Sequence, residues 1–304
     1  MAITKIKLDN FVVFKHVEVF PGRGINVFIG KNGVGKTQLL KAVYADVSVK
    51  NKEKVSFEDY FKRGSNNLIL QYNKEAEDMV LELENDGSIT QAVFLPVKDM
   101  LTHAKGLLAM EDKYREFPFD MTLTESIRLA NQWTLKETPR IAISILPKLE
   151  AIMDGTVEIK NDEFFIRKHD GTLVDFAVEA EGFKKVGLLW QLIMNENITE
   201  NSVLLWDEPE ANLNPEYIPV IVECLLELSR HGVQIFVSTH SYLFATYFNV
   251  RQKKNDNVAY HSLYIEDDDV KCETKGQFNE LEHNTIMEAY NKLLDEVYGL
   301  QVGD

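Results

Sequence analysis

The sequence predicts an α/β fold in which a mixed N-terminal lobe with antiparallel strands accompanies a parallel sheet flanked by helices, with a helical insertion. Three observations favour this class. Strand-like and helix-like segments alternate through the C-terminal third, which is typical of a parallel sheet covered on both faces. Short alternating segments with turn signals fill residues 1–96, and Pro96 opens a stretch with helical spacing. A glycine-rich loop also stands between an apolar strand and a helix.

The composition is that of a folded, acidic protein. The 304 residues include 33 Lys and Arg against 48 Asp and Glu, for a net charge of −15, and 45% are hydrophobic. These values exclude a disordered chain and a collagen-like scaffold. A surface of this charge repels a polyanion unless its basic residues are gathered on one face. The two cysteines, Cys224 and Cys272, stand in unrelated contexts that indicate neither a zinc motif nor a disulfide framework.

The first residues and the apolar runs bear on location. Residues 1–8 alternate apolar and polar side chains, as a strand does and as the apolar core of a signal peptide does not. No run reaches the ~18 apolar residues of a membrane-spanning helix. We therefore expect a cytoplasmic protein without membrane association.

In the N-terminal lobe the patterns predict two strands joined near Asp9-Asn10, a third strand that enters the glycine-rich loop, and a helix after that loop. Three more strands are expected to be antiparallel, the last two joined at an Asn85-Asp86-Gly87 turn signal. The predicted strands span residues 3–8, 12–19, 25–29, 67–72, 79–84 and 90–95, and the helix spans 38–46.

Beyond Pro96 the patterns predict a helical insertion, a hairpin around Asn161-Asp162, and then strands that alternate with helices. We expect a single domain with an N-terminal lobe over 1–96, an insertion over 97–180 and a C-terminal lobe over 181–304. The acidic triplet 267–269 is expected to face solvent. The predicted helices span 98–108, 123–132, 182–195, 215–230, 242–248 and 284–298, and the strands span 156–159, 163–167, 172–176, 203–206, 234–238 and 261–265.

The glycine-rich loop matches the full G-x(4)-G-K-[ST] pattern of a phosphate-binding loop. Gly33 and Gly35 permit a backbone whose N–H groups point inward at a phosphate, and the following helix directs its positive end there. Lys36 is predicted to place its charge between the β- and γ-phosphates of ATP, and the Thr37 hydroxyl to bind Mg²⁺. An incidental glycine-rich turn is the alternative. The predicted nucleotide-binding residues are Gly30, Lys31, Asn32, Gly33, Val34, Gly35, Lys36, Thr37 and Gln38.

Two carboxylates end the apolar strand over 203–206. Open parallel sheets bind ligands at the carboxyl ends of their strands, so Asp207 is predicted to hold Mg²⁺ together with Thr37. Glu208 follows within reach of a water in line with the γ-phosphate, and it is predicted to act as general base or to orient that water. A strand that ends in a solvated acidic turn is the alternative, and it is weakened by the phosphate-binding loop.

A histidine follows the apolar strand over 234–238. His240 comes after a Ser-Thr pair, so we expect it at the same sheet edge as Asp207. There its ring is placed to contact the γ-phosphate or the attacking water. A satisfied core or surface histidine is the alternative. With Lys36 and Glu208, His240 completes the predicted catalytic set.

With these motifs in place, the chain resembles the ATP-binding-cassette (ABC) class of ATPases. More narrowly, it resembles the soluble prokaryotic AAA-family ATPases allied to RecF, the structural-maintenance-of-chromosomes (SMC) proteins and the ATPase half of the overcoming-lysogenization-defect nucleases. Residues 6–11, with Phe14, are similar to the group's x-I-x-x-x-N-F start. Residues 207–215 are similar to its extended Walker B motif and D-loop, and residues 236–241 to its switch-histidine strand. The resemblance implies an ABC-type ATPase head fold.

The family's signature motif corresponds to residues 181–185, where this chain departs from the usual pattern. Ala180-Glu181-Gly182 stands in place of Ser-x-Gly, so the serine that caps the partner subunit's γ-phosphate is missing. The resemblance implies that Gly182 contacts that phosphate in trans through its N–H, with Lys184 or Lys185 to supply the charge. A helix N-terminus without a trans role is the alternative. The glutamine-loop residue is not assigned, since Gln91, Lys98 and Asp99 all lie near the expected place.

The resemblance implies an ATP-hydrolysing switch. Two copies would enclose two ATP molecules with Mg²⁺, each completing the other's site with Gly182 and residues 212–214, and closure would act on a separate effector. Small proteins of this appearance accompany effectors in bacterial anti-phage defence, which implies a nuclease or a reverse-transcriptase-containing complex as partner, with nucleic acid bound through it. The main alternative is a RecF-like DNA-repair ATPase that binds DNA directly. Glu181-Gly182 argues against a transporter cassette, and Glu208 argues against a scaffold without turnover.

Overall fold

A computed structural model describes residues 2–51, 56–63, 66–67, 79–87, 89–114, 119–132 and 138–302 of the chain. The strands are β1 (Ile3–Phe11), β2 (Phe14–Val19), β3 (Ile25–Gly30), β4 (Lys62–Arg63), β5 (Asn66–Asn67), β6 (Val80–Asn85), β7 (Ala92–Leu95), β8 (Gly155–Lys160), β9 (Glu163–Lys168), β10 (Leu173–Asp175), β11 (Val203–Asp207), β12 (Gln234–Ser238), β13 (Val258–Glu266) and β14 (Asp269–Lys275). The α-helices are α1 (Lys36–Asn51), α2 (Leu107–Lys113), α3 (Met121–Ala130), α4 (Leu146–Met153), α5 (Glu181–Met194), α6 (Ile218–Arg230), α7 (Tyr242–Arg251) and α8 (Thr285–Val302).

A six-stranded sheet forms the centre of the fold, in the order β14-β13-β3-β12-β11-β7. Its inner pairings from β13 to β7 are parallel, and β14 adds an antiparallel edge. All residues of β3, β11 and β12 are buried, because helices and a second sheet cover both faces. Alternate side chains therefore enter different cores: Val27 packs with residues of α5, α6 and α7, whereas Phe28 packs with residues of α1, β1 and β2.

The N-terminal hairpin turns later than the sequence predicts. The turn lies at Val12-Val13, where Val12 has a φ of 54°, and β1 runs through the predicted Asp9-Asn10 turn to pair Phe11 with Phe14. Asp9 and Asn10 are common turn residues, so their identity favours the wrong position. Burial of both phenylalanines decides the register, since each is fully inaccessible to solvent.

The predicted pairing of strands 79–84 and 90–95 was wrong in topology. Strand β6 pairs antiparallel with β1 in the small sheet β2-β1-β6, whereas β7 joins the central sheet parallel to β11. All four residues of β7 are apolar and buried, and such a strand requires cover on both faces. The predicted strand over 67–72 lies largely outside the described residues, of which Asn66–Asn67 form β5.

Residues 97–180, the expected insertion, combine helices with a small antiparallel sheet. The hairpin of β8 and β9 around Asn161-Asp162 is confirmed, as is the strand β10, and both turn residues have the positive φ that a tight hairpin requires. The predicted helix over 98–108 is wrong. A short 3₁₀ turn at Leu101–His103 precedes α2, because the Asp99 carboxylate accepts the first backbone N–H groups and Gly106 interrupts the segment at φ 74°.

The alternation of strands and helices in the C-terminal lobe is confirmed from α5 to α8, with a 3₁₀ turn at Pro215–Tyr217 before α6. The exception is β14, which no pattern predicts. Asp267 and Asp268, both with positive φ, form the tight turn that leads into β14. The side chain of Asp269 is only 11% exposed, because it accepts a hydrogen bond from the Lys15 N–H and forms an ion pair with Lys271. The expectation that the whole triplet faces solvent is therefore wrong for Asp269.

No helix in the described ranges is both long and apolar enough to cross a bilayer.

Candidate functional site

The predicted phosphate-binding loop lies between β3 and α1, at the carboxyl edge of the central sheet. Gly30 has a φ of 144°, and a Cβ there would lie 2.3 Å from the Leu263 carbonyl oxygen of β13. Gly35 has a φ of 93°, and a Cβ there would lie 2.5 Å from the Phe14 ring. Both positions therefore require glycine, for backbone conformation and for space. The Val34 side chain anchors the loop. It is buried in the cluster of apolar side chains from β1, β2 and α1, which we call the α1 core.

The Lys36 side chain is almost fully buried within this loop. Its ammonium donates hydrogen bonds to the carbonyl oxygens of Gly30, at 2.9 Å, and Lys31, at 3.1 Å. Burial lowers the pKa of Lys36, and the charges of Glu208, Asp207 and Glu210 oppose that shift. The cation thus lies inside the curve of the loop and beside three carboxylates.

Thr37 and Asp207 are brought together although they are far apart in the sequence. The Thr37 hydroxyl donates a 2.8 Å hydrogen bond to Asp207 Oδ2, and the Ser238 hydroxyl donates to Oδ1 of the same carboxylate. Asp207 is 4% exposed and is paired in register with Ser238 across β11 and β12. A hydroxyl beside a buried carboxylate is a donor set that Mg²⁺ prefers. Within the described ranges no three His, Cys, Asp or Glu side chains converge as a metal cluster.

Glu208 leaves the sheet by an unusual backbone conformation. Its φ is 47°, and its N–H donates to the Ser238 carbonyl oxygen at 3.1 Å. The buried Lys185 ammonium of α5 donates to the Glu208 carbonyl oxygen at 3.1 Å. These contacts stabilise a conformation that is uncommon for a non-glycine residue. The half-buried Glu208 carboxylate enters the cleft that Lys36 and Thr37 line.

His240 lies in the same cleft, as the sequence predicts. Its Nε2 is 3.6 Å from Glu208 Oε1. Burial lowers the pKa of the ring, the charge of Lys36 lowers it further, and the charges of Glu208 and Asp207 oppose these effects. A pKa below the ordinary 6.5 favours the neutral form of the ring at pH 7. A neutral ring can accept a proton at one nitrogen or donate a hydrogen bond from the other.

The tip of the β1–β2 hairpin completes the cleft. Val12 and Val13 line it together with Asn32, Gly33 and Gly35 of the loop. Gln38 also lines it, and its Oε1 is buried and has no hydrogen-bond partner within the described residues. Phe14 is not available for stacking on a base, because it is fully buried in the α1 core. Lys31 is exposed at the outer side of the loop.

Two sequence candidates lie outside the cleft. Gly182 begins α5 against the loop that follows β11, where a Cβ would lie 2.6 Å from the Asn212 carbonyl oxygen. Gln91 precedes β7 at the opposite edge of the central sheet and donates to Asn197 Oδ1 at 2.8 Å. Of the remaining glutamine-loop candidates, Lys98 is exposed and Asp99 caps the following turn.

Sequence reasoning gave no role to Ser238 or Glu210. It offered Lys185 as a charge for the partner's phosphate, whereas the structure buries Lys185 against the Glu208 carbonyl oxygen. Ser238 is the first residue of the Ser-Thr pair before His240, and its contact with Asp207 follows from the strand register. Glu210 accepts hydrogen bonds from Thr239 and from the His240 backbone. The sequence signals for Glu210 are its place in the 207–215 segment and its position as the third carboxylate after Asp207 and Glu208.

Two family models match this chain, one over its N-terminal half and one over its middle. A model described as an AAA ATPase domain matches residues 1–165. A second model, described as an AAA domain and naming the AbiEii toxin and a Type IV TA system, matches residues 97–245.

The chain is also similar to curated proteins. It is 41% identical over 51 residues to the DNA replication and repair protein RecF of Citrifermentans bemidjiense, a match that covers 17% of this chain and 14% of RecF. It is 21% identical over 248 residues to protein ea59 of Escherichia phage lambda, covering 74% of this chain and 47% of ea59. The chain thus spans a small part of RecF and about half of ea59.

Solved structures establish the fold. The SMC head domain from Thermotoga maritima aligns with a TM-score of 0.50 at 14% identity, covering 90% of this chain and 99% of that one. An Smc head bound to the C-winged helix domain of ScpA aligns with a TM-score of 0.51 at 16% identity, covering 91% and 98%. The predicted fold class is confirmed: an α/β ATPase head of the ABC and SMC type, with mixed sheets flanked by helices.

Proposed function

Because the chain belongs to the AAA ATPase domain family, we propose that the cleft between its phosphate-binding loop and Glu208 binds ATP and hydrolyses it to ADP and phosphate. The 2.8 Å hydrogen bond between Thr37 and Asp207 carries this proposal, because it joins the phosphate-binding loop to the carboxylate expected to share a metal ion with it. The buried Lys36 ammonium beside that pair is suited to the charge of a triphosphate.

The residues of the cleft fit a nucleotide with magnesium. Gly35 keeps the loop free of side-chain bulk, and Gln38 Oε1 is a buried acceptor without a partner in the described part of the chain. Thr37 and Asp207 would hold Mg²⁺, which, when bound, neutralises charge on the β- and γ-phosphate oxygens. Lys36 would exchange its two backbone carbonyl partners for phosphate oxygens.

In the proposed reaction the side chains position water and stabilise charge. Glu208 accepts a hydrogen bond from the attacking water and draws off its proton as the new oxygen–phosphorus bond forms. The bond between the γ-phosphorus and the bridging oxygen breaks, and the electron pair leaves with ADP. Lys36 stabilises the developing charge, and neutral His240 orients the water or the γ-phosphate.

We further propose that the active form is a dimer of two chains. Gly182 is buried against the backbone at Asn212, so the exposed surface at this end of α5 consists of Glu181 and the 212–214 loop. Asn212 and Asn214 are exposed, as are Lys31 and Asn32 on the phosphate-binding loop. Gly182 has no serine beside it, so its trans contribution would come from the backbone N–H and the N-terminal end of α5.

The proposed output is regulation of a separate effector in anti-phage defence, in the cytoplasm. Two comparisons support it: one matching model names the AbiEii toxin and a Type IV TA system, and one similar SMC head was solved with a ScpA domain bound. The effector would be a nuclease or a reverse-transcriptase-containing complex, with nucleic acid bound through it. A net charge of −15 disfavours extensive DNA binding by this chain alone.

Direct DNA binding in the manner of a repair ATPase is the second candidate, because the matched segment is 41% identical to RecF. It predicts that duplex DNA stimulates ATP hydrolysis and that added salt removes the stimulation. If the rate of ATP hydrolysis is the same with and without duplex DNA between about 50 and 200 mM salt, this candidate is excluded.

The site assignment is tested by ATP hydrolysis and ATP binding in two variants. Glu208→Gln is expected to bind ATP and lose turnover, because the amide cannot take the proton of the water. Lys36→Ala is expected to weaken ATP binding about 10- to 100-fold, as the loss of a charge-assisted contact implies. Lys50→Ala, exposed on the same helix, is the matched control and should behave as wild type. Full activity in Lys36→Ala would contradict the assignment.

A further inference from the structure

Glu210 links two loops of the site without lining the cleft. It lies on the loop that follows β11, and its Oε1 accepts hydrogen bonds from the Thr239 hydroxyl at 2.6 Å and from the His240 backbone N–H at 3.1 Å. The Glu208 N–H, two residues earlier, donates to the Ser238 carbonyl oxygen at 3.1 Å. Successive contacts thus bind residues 208–210 to residues 238–240.

The far side of the His240 segment is held independently of Glu210. The Thr239 N–H donates to the Phe28 carbonyl oxygen at 3.0 Å, and the Thr239 hydroxyl accepts from the Ser241 N–H at 2.9 Å. Removal of the Glu210 carboxylate therefore releases the backbone at His240 while the neighbouring strand β12 stays in place. The 3.6 Å separation of His240 Nε2 from Glu208 Oε1 is the distance that such a release would change.

A carboxylate at this position is costly, which argues for a specific task. Glu210 Oε2 is buried and has no hydrogen-bond partner within the described residues. Burial raises the pKa of the Glu210 carboxyl; its hydrogen bonds with Thr239 and His240 lower the pKa, and the charge of Glu208 raises it. The buried Lys185 ammonium interacts with the Glu210 charge from the side of α5. A hydrophobic residue of similar size would avoid this desolvation cost but would leave the His240 N–H without an acceptor.

We propose that Glu210 is a positioning residue, which holds the His240 segment so that the imidazole stays against Glu208. This inference rests on the proposed ATP hydrolysis. It assigns Glu210 no contact with substrate, and its effect passes through His240. Glu210→Ala should therefore lower kcat and leave KM for ATP nearly unchanged, whereas weakened nucleotide binding would raise KM. Loss of folded protein would also lower the apparent kcat, so circular dichroism must show that the variant is folded at the assay temperature.

The test compares Glu210→Ala with Glu210→Gln, which keeps an acceptor oxygen. We expect kcat to fall roughly 10- to 100-fold in Glu210→Ala and to stay within about threefold of wild type in Glu210→Gln. The double variant Glu210→Ala/His240→Ala should be no slower than His240→Ala alone, because coupled residues are non-additive. Should Glu210→Ala unfold at the assay temperature, Glu210→Asp, shorter by one methylene, replaces it. Equal losses in both His240 backgrounds, or an unchanged kcat, would overturn the inference.

Hydrogen exchange provides a readout that needs no catalysis. In Glu210→Ala the His240 amide should exchange at least about tenfold faster, while the amides of β12 stay protected; in Glu210→Gln both should remain as in wild type. Unchanged exchange at His240 would overturn the positioning role even in an active enzyme. If wild type and every variant lack turnover but His240 exchange responds as expected, the proposed ATPase activity fails and the positioning contact stands.

Discussion

The metal-binding role proposed for Thr37 depends on a single hydroxyl. Thr37→Ala removes the oxygen that lies 2.8 Å from Asp207, so we expect the Mg²⁺ concentration for half-maximal ATP binding to rise about tenfold. Thr37→Ser keeps the hydroxyl and serves as the matched control. Titration of Mg²⁺ at fixed ATP measures both. Equal Mg²⁺ dependence in Thr37→Ala and wild type would contradict the role.

A second residue-scale prediction concerns stability and pH. His261 is fully buried; its Nε2 contacts Asn26 Oδ1 at 3.1 Å and its Nδ1 contacts the Thr274 hydroxyl at 2.8 Å. Since Asn26 Oδ1 also accepts from the Gly22 N–H, the proton of the neutral ring lies on Nε2. Burial lowers the pKa of His261 from 6.5 to about 3.

Between those two values the unfolded chain binds a proton at this residue and the folded chain does not. The free energy of unfolding that depends on a neutral His261 is therefore fully present above pH 6.5. It is lost as the pH falls toward about 3, by about 1.4 kcal/mol per pH unit. Denaturant unfolding at pH 7 and pH 5 should show a smaller pH dependence in His261→Gln than in wild type. His231→Gln, on the exposed surface, is the control. Identical slopes in all three proteins would refute the assignment.

At the scale of elements, the contact between α5 and the 212–214 loop leaves no space for a side chain. Gly182→Ala would place a Cβ 2.6 Å from the Asn212 carbonyl oxygen and 3.2 Å from Leu213 Cα, both backbone atoms that cannot rotate away. We expect a loss of roughly 1–3 kcal/mol in the free energy of unfolding. Gly276→Ala, with nothing near its Cβ, is the control. Equal stability of the two variants in denaturant titrations would show that the helix adjusts at no cost.

The elements also show what the sequence could and could not predict. The glycine-rich loop was predictable because its glycines are required locally. Gly35, for example, has a positive φ and lies where a Cβ would collide with the Phe14 ring. The hairpin turn at Val12-Val13 was not, because valine carries no turn signal and long-range packing of Phe11 and Phe14 sets the register. Glu210 was missed for the same reason, since its partners lie on another strand end.

For the whole molecule, local charge and net charge act on different partners. The chain carries a net charge of −15, yet Lys36 and the loop N–H groups are concentrated in one cleft, which net charge does not govern. A second copy of the same acidic chain is repelled at long range, and in the proposed dimer we expect the bound nucleotide to supply contacts that the free chains lack. Nucleotide dependence of the assembly is therefore the property that separates a switch from a passive ATP-binding scaffold.

Light scattering of the Glu208→Gln chain tests this claim most directly, because the variant should bind ATP and retain it. We predict that its molar mass doubles with ATP and Mg²⁺, stays unchanged with ADP and Mg²⁺, and does not respond to ATP when Lys36→Ala is added. The same mass in ATP as without nucleotide, under conditions where ATP binding is demonstrated, would contradict the account of an ATP-driven dimer.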